Sequence, residues 1–170
     1  IDTCQKATNA PFDDNKFEKE LLKKVHRTIE NPNSPIKVNT EISNLNRSFG
    51  ALISGEIARF YGDKGLPENS ININWKGIAG QSFGAFLSKG MNLHLDGVAN
   101  DYVGKGMNGG KIIINPAHQG NSFAGAGNTC LYGATGGKLY IRATVGERFA
   151  VRNSGCITVV EGTGDNPCEY

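Results

Sequence analysis

The chain of 170 residues has the size of one domain, or of a domain with an extension. Apolar residues make up 38% and charged residues 20%, which excludes a disordered polyelectrolyte, and a net charge of +2 gives no electrostatic footprint for nucleic acid. No apolar run approaches the roughly 20 residues of a membrane span, and no secretory leader is visible.

Residues 1–12 read as irregular. Asp13 and Asp14 precede Phe17, Leu21, Leu22, Val25 and Ile29, whose i, i+4, i+8 spacing predicts an amphipathic helix over about 13–30. Asn31-Pro32-Asn33-Ser34-Pro35 stops it. A lone helix of this length does not persist in water, so it must dock. Residues 36–53 read as extended, Glu56–Tyr61 as a short helix closed by Gly62, and Gly65-Leu66-Pro67 as a turn.

From about Ser70 the chain repeats. Apolar pairs of the form Φ-x-Φ recur at Ile73/Trp75, Leu93/Leu95, Ile112/Ile114, Leu139/Ile141 and Ile157/Val159, each after small or glycine residues. A second echo lies ten positions on, at Phe83, Val103 and Phe149, and Gly77, Ala79 and Gly84 match Gly97, Ala99 and Gly104. Each unit therefore holds one strand, a glycine corner and a second short apolar segment. It is too short for a helical crossover, and such a period predicts stacked strands that share one apolar column. The expected fold is all-β, a right-handed parallel β-helix of roughly 20-residue coils with an N-terminal helical extension. Residues 1–37 form the extension and 38–170 the coil domain. Residues 116–122 read as a loop inserted at a corner. The chain starts without Met and stops within a repeat, and it reads as a piece of something longer.

Motifs of chemistry are sparse. Gly104-Lys105-Gly106-Met107-Asn108-Gly109 spells G-x-G-x-x-G, but a strand follows it where the dinucleotide fingerprint needs a helix. Gly110-Lys111 and Gly137-Lys138 lack the Ser or Thr of a P-loop. His26 lies on the polar helix face, His94 points outward between Leu93 and Leu95, and His118 sits in the inserted loop. Asp96, Asp101, Glu147, Glu161 and Asp165 recur near corners, where turn chemistry accounts for them. Lys105, Arg148 and Arg152 read as corner cations. Cys4, Cys130, Cys156 and Cys168 have neither zinc-finger nor C-x-x-C spacing and read as small buried or surface thiols. No catalytic, cofactor-binding or metal-ligating residue is expected in this segment.

Four runs carry a family resemblance: Gly77 to Gly84, Ala99 to Gly110, Gly127 to Gly137 and Gly146 to Asn153. They closely resemble the C-terminal GXGXG domain of the glutamate synthase large chain, and Asp2-Thr3-Cys4 resembles the segment that joins it to a preceding flavin-binding barrel. Cys156 and the Asn166-Pro167 pair depart from the family pattern. The resemblance implies a parent that turns glutamine and 2-oxoglutarate into two glutamates with reducing equivalents, using FMN and an iron–sulfur cluster. It implies that those cofactors lie elsewhere, that this domain is a scaffold, and that its partners are the amidotransferase and FMN domains. It implies a cytoplasmic protein, or a plastid one in a photosynthetic eukaryote. Two other readings remain: a stand-alone subunit similar to one of formylmethanofuran dehydrogenase, and an enzyme using the outward carboxylates Asp96, Asp101 and Glu161.

Overall fold

The structure is a computed structural model that describes residues 15–116 and 124–169. Helix α1 spans Lys16–Glu30 and buries Leu21, Val25 and Ile29 on one stripe. Strand β1 covers Ile36–Ile42. Helix α2 spans Ala51–Tyr61, so it starts five residues before the expected Glu56 and ends the extended reading of 36–53 early. Ile53 and Ile57, one turn apart, are both fully buried, and this pairing fixes the helix despite Gly55 in its middle. The strands that follow are β2 (Ile71–Ala79), β3 (Met91–Ala99), β4 (Asn108–Ile114), β5 (Ala124–Ala126), β6 (Gly136–Val145) and β7 (Ile157–Thr163).

The strands form one parallel sheet in the order β1-β2-β3-β4-β6-β5, with β7 also on β6. Three of the repeat's steps are in register as the apolar pairs require: Ile73 faces Leu93, Leu93 faces Ile112, and Ile112 faces Leu139. Trp75, Leu95 and Ile114 follow on the same inner face, and all of these side chains are buried. The tight pair Phe49–Trp75, with ring centroids 4.5 Å apart, anchors the end nearest the helices.

The expectation of an all-β, right-handed β-helix is overturned. The architecture is of α/β type: a mostly parallel seven-stranded sheet with two helices. The twenty-residue period begins only at β2 and is blind to what precedes it. There, α1 and α2 place Leu21, Val25, Ile29, Ile53 and Ile57 in the same apolar cluster as Ile73, Leu93, Ile112 and Leu139. Helices thus build one part of the core.

The fifth apolar pair is also corrected. Lys138 faces Ile157 and Leu139 faces Thr158, so Ile157 and Val159 stand 61% and 62% exposed. A shift of one residue moves every side chain of a strand to the other face. The cause is local. The Asn153 side chain accepts the Cys156 N–H at 2.9 Å and donates to the Cys156 carbonyl at 2.9 Å. This clasp makes Cys156 the inward residue, with its Sγ 3.9 Å from Met107 Sδ.

The return segments between strands form ladders of their own. Residues with positive φ recur at alternate positions: Ser82, Gly84 and Phe86; Tyr102, Gly104 and Gly106; Thr129, Leu131 and Gly133; Arg148, Ala150 and Arg152. The backbone N–H of Ser82 donates to Asp101, of Tyr102 to Asn128 and of Thr129 to Glu147, each at 2.8–2.9 Å. Two positions on, the direction reverses: Gly104 donates back to Phe83, Leu131 to Val103 and Ala150 to Cys130. The residues between, Phe83, Val103, Cys130 and Phe149, point into the core. The second apolar segment read from the sequence is therefore a twisted turn whose polar groups are satisfied from unit to unit.

Candidate functional surface

The structure separates the chemical candidates rather than gathering them. Among the described residues, no three of His, Cys, Asp and Glu lie close enough to hold a metal ion. His26 sits where α1 meets α2, with Nδ1 3.5 Å from Glu30 and Nε2 3.7 Å from Glu56, which also binds Arg59. His94 is half-exposed on the outer sheet face, 3.5 Å from its own neighbour Asp96. His118 and Cys4 lie outside the described residues.

Three of the corner acidic residues hold turns, Asp101 through its carboxylate and Glu147 and Asp165 through their main chain. Asp101 Oδ1 accepts the Asn128 N–H at 2.8 Å, and the main-chain carbonyls of Glu147 and Asp165 accept the N–H groups of Thr129 and Arg148. Asp96 and Glu161 stand exposed on β3 and β7, two strands that do not pair with each other. Lys105 lies over the Tyr102 ring, 5.5 Å from its centroid, while Arg148 and Arg152 are exposed. The Gly104–Gly109 run is a turn that enters β4, so no helix N-terminus faces a phosphate there.

Two of the three described thiols are buried. Burial pushes the Cys130 thiol up to about 12 and the Cys156 thiol up to about 11, away from the thiolate that ligation and attack both need. Cys168 is free and exposed.

Sequence reasoning missed three features. The first is Glu18 on α1, fully buried. Its Oε1 accepts N–H groups of Gly50, Leu52 and Ile53 at 2.9–3.1 Å, and its Oε2 accepts from Asn15 at 3.0 Å. These are the orphan donors at the start of α2, capped here by a residue 32–35 positions away. Burial raises the Glu18 carboxyl above its ordinary value, opposed by those hydrogen bonds. Nothing in the helical spacing singles Glu18 out.

The second is an outer-face asparagine network. Asn74 donates to Asn39 at 2.8 Å, and Asn92 donates to Asn69 and Asn72 at 2.7 and 2.8 Å. Asn72 and Asn92 sit 20 positions apart, a signal visible once the repeat is aligned. The third is a half-open groove of about 340 Å³ where the strands begin. Lys89, Lys111 and Lys138 line it, with Glu68, Asn92 and Ile157 beside them.

Comparison with known proteins follows this geometry. The GXGXG motif pattern matches residues 14–170. The glutamate synthase [NADPH] large chain of Bacillus subtilis (strain 168) is 47% identical over 174 residues, covering 100% of this chain and 11% of that protein. Ferredoxin-dependent glutamate synthase 2 of Synechocystis sp. is 58% identical over 132 residues, covering 75% of this chain and 8% of that one. A chloroplastic ferredoxin-dependent glutamate synthase of Oryza sativa subsp. japonica is 52% identical over 134 residues, covering 76% and 8%. The chain spans about a tenth of the length of the curated relatives it matches. Relatives named for NADPH and for ferredoxin both match, so the likeness does not choose between electron donors. Among the described residues, no helix is long and apolar enough to cross a membrane. The matching pattern over residues 14–170 and the identity to these relatives lead to one assignment: the chain belongs to the GXGXG family.

Proposed function

We propose that this domain is a scaffold within a glutamate synthase, and that it packs against the amidotransferase and FMN domains of its parent. The parent converts glutamine and 2-oxoglutarate to two glutamates at the expense of reducing equivalents, and it works in the cytoplasm or a plastid. FMN and the iron–sulfur cluster belong to those other domains. Among the described residues, Cys130 and Cys156 are buried with their thiols held protonated and Cys168 is exposed, which supports placing the cluster elsewhere in the parent. The role of the domain is to fix the spacing of its neighbours, so that ammonia passes between them without meeting bulk water.

The observation that carries this reading is β7. Among the described residues it pairs only with β6, no strand lies along its other edge, and Ile157 and Val159 face solvent. A long apolar edge strand invites another chain, and folded proteins generally cover such edges. Hydrogen exchange tests the idea. The amides of 157–163 that point away from β6 exchange quickly in the 170-residue chain and become protected in the full-length protein. Equal exchange in both would overturn the scaffold reading.

A further inference from the structure

One column of the outer sheet face changes character along the sheet. In register it runs Lys37, Asn72, Asn92, Lys111, Lys138, Ile157. At β2–β3 the asparagines bond to each other and satisfy the column internally. At β4–β6 two lysines stand directly opposite, on strands about 4.8 Å apart. Like charges so placed repel, and no carboxylate among the described residues pairs with Lys111, Lys138 or the neighbouring Lys89. The groove lies over this half of the column. It crosses four strand starts, from Lys89-Gly90 to Gly155, a length of roughly 14 Å by strand spacing.

We infer that this groove receives an extended acidic segment from elsewhere in the parent protein, with carboxylates over Lys111 and Lys138 and an apolar side chain over Ile157. The inference rests on the scaffold reading and names the chemistry of one of its contacts. The length argues for a peptide, because a single small anion spans one strand spacing and leaves the rest of the groove unfilled. Four or five extended residues span it. The composition argues for the same occupant: three cations and one carboxylate line the groove, and its far end is apolar. The relatives supply ample chain for the purpose, since this segment is only 8–11% of their length.

The test uses the full-length protein and a zero-length reagent that joins amines to carboxylates. Mass spectrometry is expected to find Lys111 or Lys138 linked to an Asp or Glu outside residues 1–170. The double variant Lys111→Gln/Lys138→Gln removes those links. In the wild type, Lys111 and Lys138 acetylate at least about tenfold more slowly than Lys24 and Lys37, which lie on α1 and β1. Two results overturn the inference. One is acetylation as fast as that of Lys24 with no external link. The other is protection that appears only when pyrophosphate is added, which assigns the groove to a small anion. Protected β7 amides beside freely reacting lysines sink this inference alone. Unprotected β7 amides sink the scaffold reading whatever the lysines do.

Discussion

Strands β2 and β3 run side by side for nine residues without a slip, and every inward side chain is buried. Strand β7 runs beside β6 with a register shift between Ile141 and Thr144, and none of its residues is fully buried. The two regions share one repeat and one hydrogen-bonding geometry. They differ in what lies next to them. Toward β2, α1 and α2 close the core with Val25, Ile29, Ile53 and Ile57. Beyond β7 no described residue does so. Completeness here is a property of neighbours, and the apolar count of a strand does not reveal it.

Substitutions sharpen that contrast. The largest effect is expected at Gly77, whose φ is +130° and whose missing Cβ leaves room for the carbonyl oxygen of Ile42. Gly77→Ala forces backbone against backbone in a strained conformation, and urea titration should show a loss of more than about 5 kcal/mol or no folded protein. Gly162→Ala in β7 meets only the Thr144 methyl at 3.1 Å, so a loss under about 1 kcal/mol is expected. A large loss there would make β7 as constrained as β2.

Next comes the core. Trp75→Ala should cost about 3–5 kcal/mol, because Phe17, Phe49 and Phe83 all pack on that ring. Val159→Ala should cost under about 0.5 kcal/mol in the 170-residue chain. If β7 is covered in the parent, the same change there costs more.

Glu18 tests the helical cover. Glu18→Ala strands three N–H groups, two of them buried, and should cost about 2–4 kcal/mol. Glu18→Gln keeps an acceptor and should stay within about 1 kcal/mol of the wild type at neutral pH. The pH dependence has a definite sign. The folded carboxyl titrates above its ordinary value, so the unfolded chain releases this proton first. The contribution to stability is therefore fully present below the unfolded value and is lost as pH rises through the raised folded one. Glu18→Gln should flatten that slope, and thermal midpoints measured from pH 3.5 to pH 7 would show it (both limits about one unit or more from the ordinary value of roughly 4.3). An unchanged slope would place the titration elsewhere.

A small effect is expected at Ala150, which holds φ +58° where Gly84 and Gly104 sit in earlier units. Ala150→Gly relieves a left-handed alanine at the cost of a more flexible unfolded chain. A change within about 1 kcal/mol, of either sign, is expected.

The inner column was legible because burial acts on every second residue of a strand, and a period of about twenty recurs in plain view. Ile73, Leu93, Ile112 and Leu139 stack as their spacing requires. The last rung was not legible, because its register depends on the Asn153 side chain clasping Cys156 and not on the apolar pattern. The fold class was missed for a related reason: repetition advertises strands, while α1 and α2 occur once each. Nor does the sequence show that Thr129, Leu131, Arg148 and Ala150 take left-handed turns. Those residues disfavour such a φ, and only hydrogen bonds to the units on either side hold them there. The family motif records glycine where the turn is easiest, and the structure shows the turn persisting where glycine is gone. The groove lysines were noticed only as failed P-loops, since their significance lies in being opposite each other across two strands.

The sheet's order has a kinetic side. Apart from short β5, each strand lies beside the one made just before it: β1, β2, β3, β4, β6, β7. A ribosome delivering this chain offers every new strand an edge that is already in place, and no strand has to wait for a distant mate. The longest separation is the first, from Ile36 to Ile71, and each later strand closes a shorter loop, so the entropic cost does not grow as the sheet lengthens. Translation can therefore template the sheet one strand at a time, with the helix-covered end serving as its seed.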